Sequence, residues 1–325
     1  MKIGLTYDLR SEWLKQGYSE LETAELDREE TVQGVELAIQ AAGHATERIG
    51  NYRQLFQALS AGKRWDLVFN FCEGMFGLAR EALVPAILDA YRIPYTFSDP
   101  AVLAVSLQKA LTKRVVRDAG VPTPDFHVVE SLPDLTSVKL RYPLFAKPLA
   151  EGTGKGITPN SKITSPAELE RMCTELLKTY RQPVLVEEYL PGREFTTGIV
   201  GTGPKAEAIG TMEVILLETA DANAYTYLNK EYCDDRVRYE LATGSVREEC
   251  ARVALGAWRA LGARDAGRVD LRMDAAGRVS FIEANPLAGL HPIHSDLPII
   301  CGMVGLSFHE LIRRIIESAR SRIES

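Results

Sequence analysis

The sequence predicts an α/β protein that begins with a parallel sheet and continues into two smaller α+β units. Segments typical of strands and helices alternate over the first hundred residues, and this order favours a parallel sheet with helices on its faces. A strand then leads into a Gly-rich loop near residue 150, and a strand–turn–strand unit lies near residue 275. We therefore expect an N-terminal α/β domain, a small α+β central lobe and a C-terminal α+β domain.

The N-terminal domain is expected to span residues 1–103. Its predicted strands and helices lie at residues 2–7, 27–42, 65–70 and 80–91. Gly43 directly after the helix at 27–42 is a natural C-cap. The segment from Tyr95 to Pro100 breaks the alternation, so it marks the first boundary.

The central lobe is expected to span residues 104–188, and the C-terminal domain residues 189–325. The lobe has a helix-rich stretch that ends at Gly120, and its later elements are predicted strands at 143–148 and 184–188 with a helix from about Ser165 between them. The C-terminal domain is predicted to be β-rich from Glu194, helical over 246–261 and amphipathic and helical over 307–323.

Composition and charge exclude several classes of protein. The 325 residues are 46% hydrophobic and 25% charged, which is typical of soluble proteins, and the net charge of −6 disfavours nucleic-acid binding. No apolar run is long enough for a membrane span, and the first residues lack a signal-peptide core. The five cysteines form no C-x-x-C pair, so we expect reduced thiols and a cytoplasmic protein without a membrane partner.

A predicted hairpin near the C-terminus carries candidate metal ligands. Asp274-Ala-Ala-Gly277 is a turn signal between two β-rich runs. If Met273 pairs with Arg278, Asp270 falls opposite Phe281, and the alternation of strand side chains puts Asp270, Glu283 and Asn285 on one face. Three oxygen donors on one face suit Mg²⁺, which takes its other ligands from phosphates.

Lys147 and the loop from Glu151 to Gly156 form a candidate phosphate site. Glycines allow backbone N–H groups to approach phosphate oxygens closely. The spacing matches neither G-x-x-x-x-G-K-[ST] nor G-x-G-x-x-G, so a flexible hairpin turn is an open alternative.

Residues 184–194 form a third candidate site, where an apolar strand ends in Glu187, Glu188, Tyr189 and Leu190. This strand end can hold a purine edge and ribose hydroxyls, or it can be a solvated acidic strand end.

These three signals occur in the order found in ATP-grasp enzymes, and the chain resembles the D-alanine–D-alanine ligase family from about residue 94 to the C-terminus. The matching segments are Pro94-Tyr-Thr, Lys109, Lys147-Pro, Glu151-Gly-Thr-Gly-Lys-Gly156, Glu187-Glu-Tyr-Leu, Glu194-Phe195, Lys230, Gly267-Arg-Val-Asp270, Glu283-Ala-Asn285, Gly289 and His294-Ser295. The resemblance implies ATP as a substrate, two Mg²⁺ ions or Mn²⁺ in their place, small amino-acid or peptide-like substrates and a homodimer.

The resemblance also implies roles for individual residues. The residues that would contact ATP are Lys109, Lys147, Glu151, Gly152, Thr153, Gly154, Gly156, Glu187, Glu188, Tyr189, Leu190, Glu194, Lys230 and Ile282. Asp270, Glu283 and Asn285 would hold the metal ions. Catalytic roles would fall to Arg268 and the Gly289 N–H at the oxyanion, with Thr153 and Lys230. Glu73, Glu231, His294 and Ser295 would contact the substrates.

The positions for the first substrate depart from the family pattern. Glu73 stands where the family has a histidine, and Asp27-Arg-Glu-Glu-Thr31 offers no clear equivalent of the glutamate that grips the first ammonium. Glu231 replaces a tyrosine, and one extra residue precedes His294. We therefore expect a first substrate that lacks a free α-amino acid head group or carries additional positive charge. Contacts rebuilt by Arg80 or Arg28, or simple sequence drift, are the alternatives.

The predicted function is an ATP-dependent carboxylate–amine ligase that works through an acyl phosphate and releases ADP and phosphate. D-Alanine–D-alanine ligase proper is the main alternative, and a nucleotide-binding regulatory protein without turnover is an alternative of another class. A dinucleotide-binding oxidoreductase is disfavoured because residues 2–17 lack a G-x-G-x-x-G. His291 and His294 are a poor zinc set, so hydrogen bonding to substrate is the preferred role for these histidines.

Overall fold

A computed structural model describes residues 1–221, 226, 229 and 233–323, without the side chains of residues 233 and 234. The chain begins with a three-stranded parallel sheet of β1 (Lys2–Thr6), β2 (Ala45–Gly50) and β3 (Leu67–Asn70) in the order β2-β1-β3. The helices of this part are α1 (Arg10–Lys15), α2 (Glu29–Ala41), α3 (Tyr52–Ser60) and α4 (Leu83–Ala90). The expected parallel sheet with flanking helices is confirmed.

Two of these helices differ from the sequence prediction at their ends. Arg28 is the N-cap of α2 with extended backbone angles, so the helix begins at Glu29 rather than at residue 27. The helix predicted from Arg80 begins as a 3₁₀ turn, Arg80–Ala82, and becomes α-helical at Leu83. Both differences lie at element ends, which local patterns define poorly.

The helices α5 (Pro100–Leu107) and α6 (Lys109–Asp118) lead into a four-stranded antiparallel sheet. Its strands are β4 (Phe126–Val129), β5 (Leu144–Pro148), β6 (Lys162–Ile163) and β7 (Val184–Glu188), in the order β4-β7-β5-β6. Helix α7 (Pro166–Tyr180) packs on this sheet, and the Ser165 hydroxyl caps its first turn by accepting from the Glu168 N–H. Short 3₁₀ turns occur at Leu132–Ser137 and Pro159–Ser161.

The C-terminal part contains a five-stranded antiparallel sheet in the order β10-β9-β8-β11-β12. Its strands are β8 (Glu194–Val200), β9 (Glu207–Leu216), β10 (Val237–Leu241), β11 (Ala266–Met273) and β12 (Val279–Asn285). A 3₁₀ turn, Gly203–Lys205, joins β8 to β9. The described helices of this part are α8 (Cys233–Arg236), α9 (Gly244–Leu261), α10 (Asp296–Met303) and α11 (Phe308–Ile323).

The register of the β11–β12 hairpin corrects one expectation. Met273 pairs with Val279 rather than with Arg278, and Asp270 pairs with Glu283 rather than with Phe281. The Asp274 carboxylate accepts from the N–H groups of Ala276 and Arg278, at 2.8 and 2.9 Å, and this draws Arg278 into the turn. A bulge at Ile282 then adds one residue to β12.

The largest apolar core joins the parallel sheet to the C-terminal part. Ile3 of β1 and Val35 of α2 pack in one cluster with Leu297 of α10 and Ile312 of α11. A second core lies between α9 and the β11–β12 hairpin, and a third lies under the central sheet. Because the first core is shared, the loops of the parallel sheet lie beside the loop that follows β12.

The domain boundaries remain a proposal. The expected boundary after residue 103 falls inside α5, whose first turn the Asp99 carboxylate caps by accepting from two backbone N–H groups at 3.0 Å. We propose that this boundary lies before α5 and that the boundary after residue 188 stands at the end of β7. None of the described helices has the length and apolar character needed to cross a membrane.

Candidate active site

Two adjoining cavities lie where the three parts of the chain meet. A cavity of about 80 Å³ between the central and C-terminal sheets has 14 lining residues. They are Phe145, Lys147, Gly154, Ile157, Glu187, Glu188, Tyr189, Leu190, Glu194, Thr196, Asp270, Arg272, Ile282 and Glu283. A cavity of about 260 Å³ lies against the loops of the parallel sheet. Glu283 lines both cavities. We call them the nucleotide cavity and the substrate cavity.

Glu187 lies in a buried charge network at the nucleotide cavity. The Nζ atoms of Lys113 and Lys147 each lie 2.8 Å from one of its carboxylate oxygens. Burial alone would raise the pKa of Glu187, but the two ammonium groups hold it at about 2. Burial lowers the pKa of Lys113 to about 8, although Glu187 opposes that effect. The carboxylate therefore fixes Lys147 at the cavity wall.

Lys147 and Glu187 were predicted as site residues, but Lys113 was not. A usable signal was present, because Lys109 and Lys113 are four residues apart on α6 and so share a helix face. Lys109 lies 3.4 Å from Glu283, and its Nζ also donates to the Glu151 carbonyl. One face of α6 thus places Lys113 beside Glu187 of β7 and Lys109 beside Glu283 of β12.

Aromatic and cationic groups form the other wall of the nucleotide cavity. Tyr189 stacks on Phe145 with ring centroids 6.2 Å apart. The Arg272 guanidinium lies 5.0 Å from the Tyr189 ring, donates to its hydroxyl at 3.1 Å and pairs with Glu194 at 3.2 Å. The Glu188 carboxylate pairs with Arg141 at 3.1 Å. This wall therefore presents an aromatic surface, held by ion pairs and a hydrogen bond, against which a planar ring can stack.

The hairpin brings its candidate metal ligands together. Asp270 and Glu283 are paired across the strands, and the Asn285 Nδ2 atom lies 3.5 Å from the Asp270 carboxylate. The Thr196 hydroxyl donates to Asp270 at 2.9 Å. Two carboxylates and an amide oxygen are hard ligands of the kind that Mg²⁺ accepts, and they leave positions for phosphate oxygens. The bulge also turns both Ile282 and Glu283 toward the nucleotide cavity.

The Gly-rich loop is fastened to the parallel-sheet part of the chain. Thr153 and Gly154 both have positive φ angles, 52° and 72°, so the loop turns sharply. The Gly152 N–H donates to the Glu25 carboxylate at 2.9 Å, and Lys155 pairs with Glu25 at 3.0 Å and with Glu151 at 2.9 Å. These bonds hold the loop over the junction of the two cavities.

Glu25 was not predicted as a site residue. It also pairs with Arg80 at 2.5 Å, while Arg80 donates to the Ala150 carbonyl at 3.0 Å. Burial would raise the pKa of Glu25, but Arg80 and Lys155 hold it at about 2. Nothing in the local sequence around residue 25 indicates these partners, because they come from distant segments.

Arg268 lies between the two acidic groups Asp270 and Asp296. It forms an ion pair with Asp270, and its Nε atom lies 3.5 Å from Asp296. Burial disfavours the charged guanidinium, but the two carboxylates raise the pKa of Arg268 above its ordinary value. Arg268 lines the substrate cavity, so a fixed positive charge faces that space. Asp296, the first residue of α10, was not predicted as a site residue.

The loop after β12 carries Gly289, His291, His294 and Ser295 to the substrate cavity. A Cβ atom at Gly289 would lie 2.8 Å from the Ser295 Oγ, so any larger residue there would have to displace this hydroxyl. The Ser295 hydroxyl accepts from the His291 N–H at 2.9 Å, and the two histidine rings lie 4.7 Å apart. Among the residues that the structure describes, no three His, Cys, Asp or Glu side chains cluster as a metal site.

The remaining predicted substrate residue in the described part is Glu73, which lines the substrate cavity with Glu81 and Asp27. Lys230 and Glu231 lie outside the described residues. Glu151, Gly152 and Thr153 line the same cavity, and Gly156 has a φ of 75° beside Pro148. Apart from Gly156, the described candidate residues therefore line one or both of the two adjoining cavities, while their individual roles remain predictions.

Comparisons with known proteins agree with this architecture. A family model described as the D-ala D-ala ligase C-terminus matches residues 115–317. The chain is 31% identical over 297 residues to a D-alanine–D-alanine ligase of Bordetella petrii, covering 90% of this chain and 87% of that protein. It is also 31% identical over 259 residues to D-alanine–D-alanine ligase B of Chromobacterium violaceum, covering 78% and 80% of the two chains.

Solved structures of low sequence identity share the fold. The D-alanine–D-alanine ligase from Bacillus anthracis complexed with ATP matches with a TM-score of 0.74 at 20% identity, covering 100% of this chain and 99% of that chain. The VanG D-Ala:D-Ser ligase from Enterococcus faecalis matches with a TM-score of 0.75 at 19% identity, covering 98% and 99%. The chain is therefore a member of the D-alanine–D-alanine ligase family, an ATP-dependent ligase of the ATP-grasp fold that joins a carboxylate to an amine.

Proposed function

We propose that this ligase activates the carboxylate of an amino acid or peptide-like substrate as an acyl phosphate, joins it to the amine of a second substrate, and releases ADP and phosphate. The observation that carries this proposal is the junction at Glu283. This carboxylate lines both cavities, Lys109 lies 3.4 Å from it, and Arg268 lines the substrate cavity. A γ-phosphate entering from one side can meet a carboxylate held on the other.

In this proposal, the nucleotide cavity binds ATP. Lys147, held by Glu187, and Lys109 neutralise phosphate charge, and the loop from Glu151 to Gly156 closes over the γ-phosphate. The purine lies against the wall of Tyr189, Leu190 and Ile282. Glu194 and Glu188 stand at the same cavity, where Glu194 holds the ribose. Lys230 is a further phosphate contact.

Asp270, Glu283 and Asn285 would hold two Mg²⁺ ions, for which Mn²⁺ can substitute. Bound there with ATP, the ions would neutralise charge between the β- and γ-phosphates. The fit rests on the hard donor set and on its position at the junction of the cavities. Arg268 and Lys109 already lie beside these carboxylates, so the chain itself balances part of their charge.

Arg268 and the Gly289 N–H stabilise the oxyanion that forms when the amine attacks the acyl phosphate. Ser295 and His294 meet the carboxylate of the attacking amino acid. The Gly-rich loop, with Thr153 at its tip, excludes water from the acyl phosphate, and the bonds of Glu25 to Gly152 and Lys155 support closure.

Two free D-alanines are not the preferred substrate pair in this proposal. Glu73 at the substrate cavity is a carboxylate where the family has a histidine, and Arg80 is already paired with Glu25 rather than available to rebuild a lost contact. D-Alanine–D-alanine ligase proper is the second candidate, which the names of the 31% identical relatives favour.

Product analysis tests the proposal. The protein is incubated with ATP, Mg²⁺ and pairs of amino acids of both chiralities, and the nucleotide and ligated products are identified by mass. We expect ADP and phosphate, so AMP with pyrophosphate contradicts the proposed chemistry. Efficient turnover of D-alanine alone, above about 10⁴ M⁻¹s⁻¹ in kcat/KM, with no better partner, instead favours the second candidate.

A matched pair of arginine variants tests the oxyanion role on the same hairpin. Arg268→Ala is expected to lose about 3 kcal/mol of transition-state stabilisation. Arg278→Ala removes an exposed arginine from the turn and should leave kcat/KM unchanged. Equal activity of the two variants would exclude the proposed role of Arg268.

We also propose a homodimer and a cytoplasmic location. The dimer rests on the resemblance to the family alone, and analytical ultracentrifugation tests it. The location is supported by the free thiols of Cys72, Cys173, Cys250 and Cys301, all of which are buried.

A further inference from the structure

The substrate cavity has an acidic end whose carboxylates form no ion pair with a described cation. Asp27, Glu73 and Glu81 line the cavity where the segment before α2 meets the loop after β3. None of the three carboxylates forms an ion pair or side-chain hydrogen bond with a described residue, whereas Glu25 beside them has two cationic partners. The acidic end is thus distinct from the charge network that holds the Gly-rich loop.

Three cations near this end are already engaged with other groups. Arg80 binds Glu25 at 2.5 Å and the Ala150 carbonyl at 3.0 Å. Lys155 binds Glu25 and Glu151, and Lys109 binds Glu283. These side chains reduce the negative potential at a distance, but the described part of the chain leaves the three carboxylates without a direct partner.

Burial makes this arrangement costly in the absence of a ligand. Burial is the main reason that the pKa of Glu81 rises to about 7, and Glu25 adds to it. Burial and then the nearby Glu81, Glu25 and Asp27 raise the pKa of Glu73 well above its ordinary value. Burial and Asp8 do the same to Asp27. A cation bound at this end of the cavity would offset both the cost of burying these carboxylates and the repulsion between them.

Two buried polar atoms provide an independent observation. Ser106 is 5% exposed and lines the same cavity, yet no described group hydrogen-bonds to its Oγ atom. The Asp27 Oδ2 atom is fully buried and likewise has no hydrogen-bond partner in the described part of the chain. Buried polar atoms are nearly always paired, so these two atoms indicate a ligand that donates hydrogen bonds.

On the basis of the proposed ligase function, we propose that the first substrate is a basic amino acid, whose second cationic group binds among Asp27, Glu73 and Glu81. An ammonium or guanidinium group supplies both the positive charge and the N–H donors that this end lacks. Arg268, His291 and His294 also line the cavity and suit the carboxylate groups of the two substrates. The cavity therefore offers groups of both signs to a substrate that carries opposite charges.

The test measures binding of lysine, ornithine and arginine, each as both enantiomers, against norleucine of the same chirality. Calorimetry is carried out on the full chain with Mg²⁺ and a non-hydrolysable ATP analogue. At least one basic amino acid should bind about tenfold or more tightly than norleucine, the size expected for a charge-assisted hydrogen bond. Glu73→Gln and Asp27→Asn should each bring this ratio below about threefold.

The control variant is Glu12→Gln, which removes an exposed carboxylate from α1 outside the cavity and should keep the full preference. A ratio below about threefold in the unaltered protein overturns the inference, as does a ratio that neither cavity variant changes. If neutral amino acids are ligated as well as basic ones, only this inference fails. If no amino-acid pair yields ADP, the proposed function fails, and the binding ratio still decides whether the acidic end selects a cation.

Discussion

The nucleotide cavity and the acidic end of the substrate cavity differ in whether their buried carboxylates form ion pairs within the chain. At the nucleotide cavity Glu187 has two lysine partners, and its pKa lies at about 2. At the acidic end Glu81 has no ion-pair partner among the described residues, and burial raises its pKa to about 7. A region whose charges are paired within the chain is prepared for its ligand in advance. A region with unpaired charges depends on the ligand to complete it.

The junction between these regions is where a single substitution should have the largest effect. Glu283→Gln removes one proposed Mg²⁺ ligand and the partner of Lys109, so kcat should fall by about 10³-fold or more, corresponding to several kcal/mol. ADP release measures this loss, while circular dichroism checks that the fold is intact. Glu248→Gln, which removes an exposed carboxylate from α9, is the control.

A second measurement on the same variant reports on the metal directly. Mn²⁺ binding in the presence of ATP, followed by electron paramagnetic resonance, should weaken in Glu283→Gln and not in Glu248→Gln. Normal turnover with normal Mn²⁺ affinity would show that the hairpin carboxylates do not hold the metal ions.

The charge network of Glu187 at the nucleotide cavity should lose stability when one partner is removed. Glu187→Gln leaves Lys113 and Lys147 buried without their shared ion-pair partner, so we expect a loss of about 3 kcal/mol in the free energy of unfolding at pH 7. Chemical denaturation measures this loss. Because the folded pKa of Glu187 lies below the ordinary glutamate value of 4.5, its contribution to stability is present above pH 4.5 and disappears as pH falls toward about 2. A variant that is as stable as the parent protein at pH 7 would refute the role of this network.

The nucleotide cavity could be predicted from the sequence because most of its residues lie in contiguous patterns. Lys147, the Gly-rich loop and the Glu187–Leu190 segment are contiguous patterns, and the alternation of strand side chains was sufficient to group Asp270 with Glu283 and Asn285. The register was wrong because Ile282 forms a bulge and Asp274 binds the turn through its own carboxylate. Local patterns contain neither feature.

Glu25, Glu81 and Asp296 could not be found in this way. Each acquires its setting from segments far away in the chain: Glu25 from Arg80 and Lys155, and Asp296 from Arg268. Asp27 was noted only as part of a segment without a clear family equivalent. Periodicity reports which face of an element is buried, but it does not report which faces of different elements meet.

The smallest expected effect concerns the acidic end of the substrate cavity. It is a change in stability that depends on pH through Glu81. The pKa of Glu81 is raised from 4.5 to about 7 in the folded chain, so the folded state binds this proton more tightly than the unfolded state. Glu81 therefore opposes folding above about pH 7, and this penalty disappears as pH falls toward 4.5. Glu81→Gln should stabilise the ligand-free protein by about 1–2 kcal/mol at pH 8 and by much less at pH 5.

Thermal unfolding of the parent protein and the variant at both pH values measures the difference. Glu12→Gln is again the control, because its carboxylate is exposed and should change stability little at either pH. A basic amino acid that occupies the acidic end should reverse the order at pH 8, because Glu81 then gains a partner in the parent protein that Gln lacks. Equal stabilisation of Glu81→Gln at pH 8 and pH 5 would mean that packing, rather than unpaired charge, distinguishes this region from the nucleotide cavity.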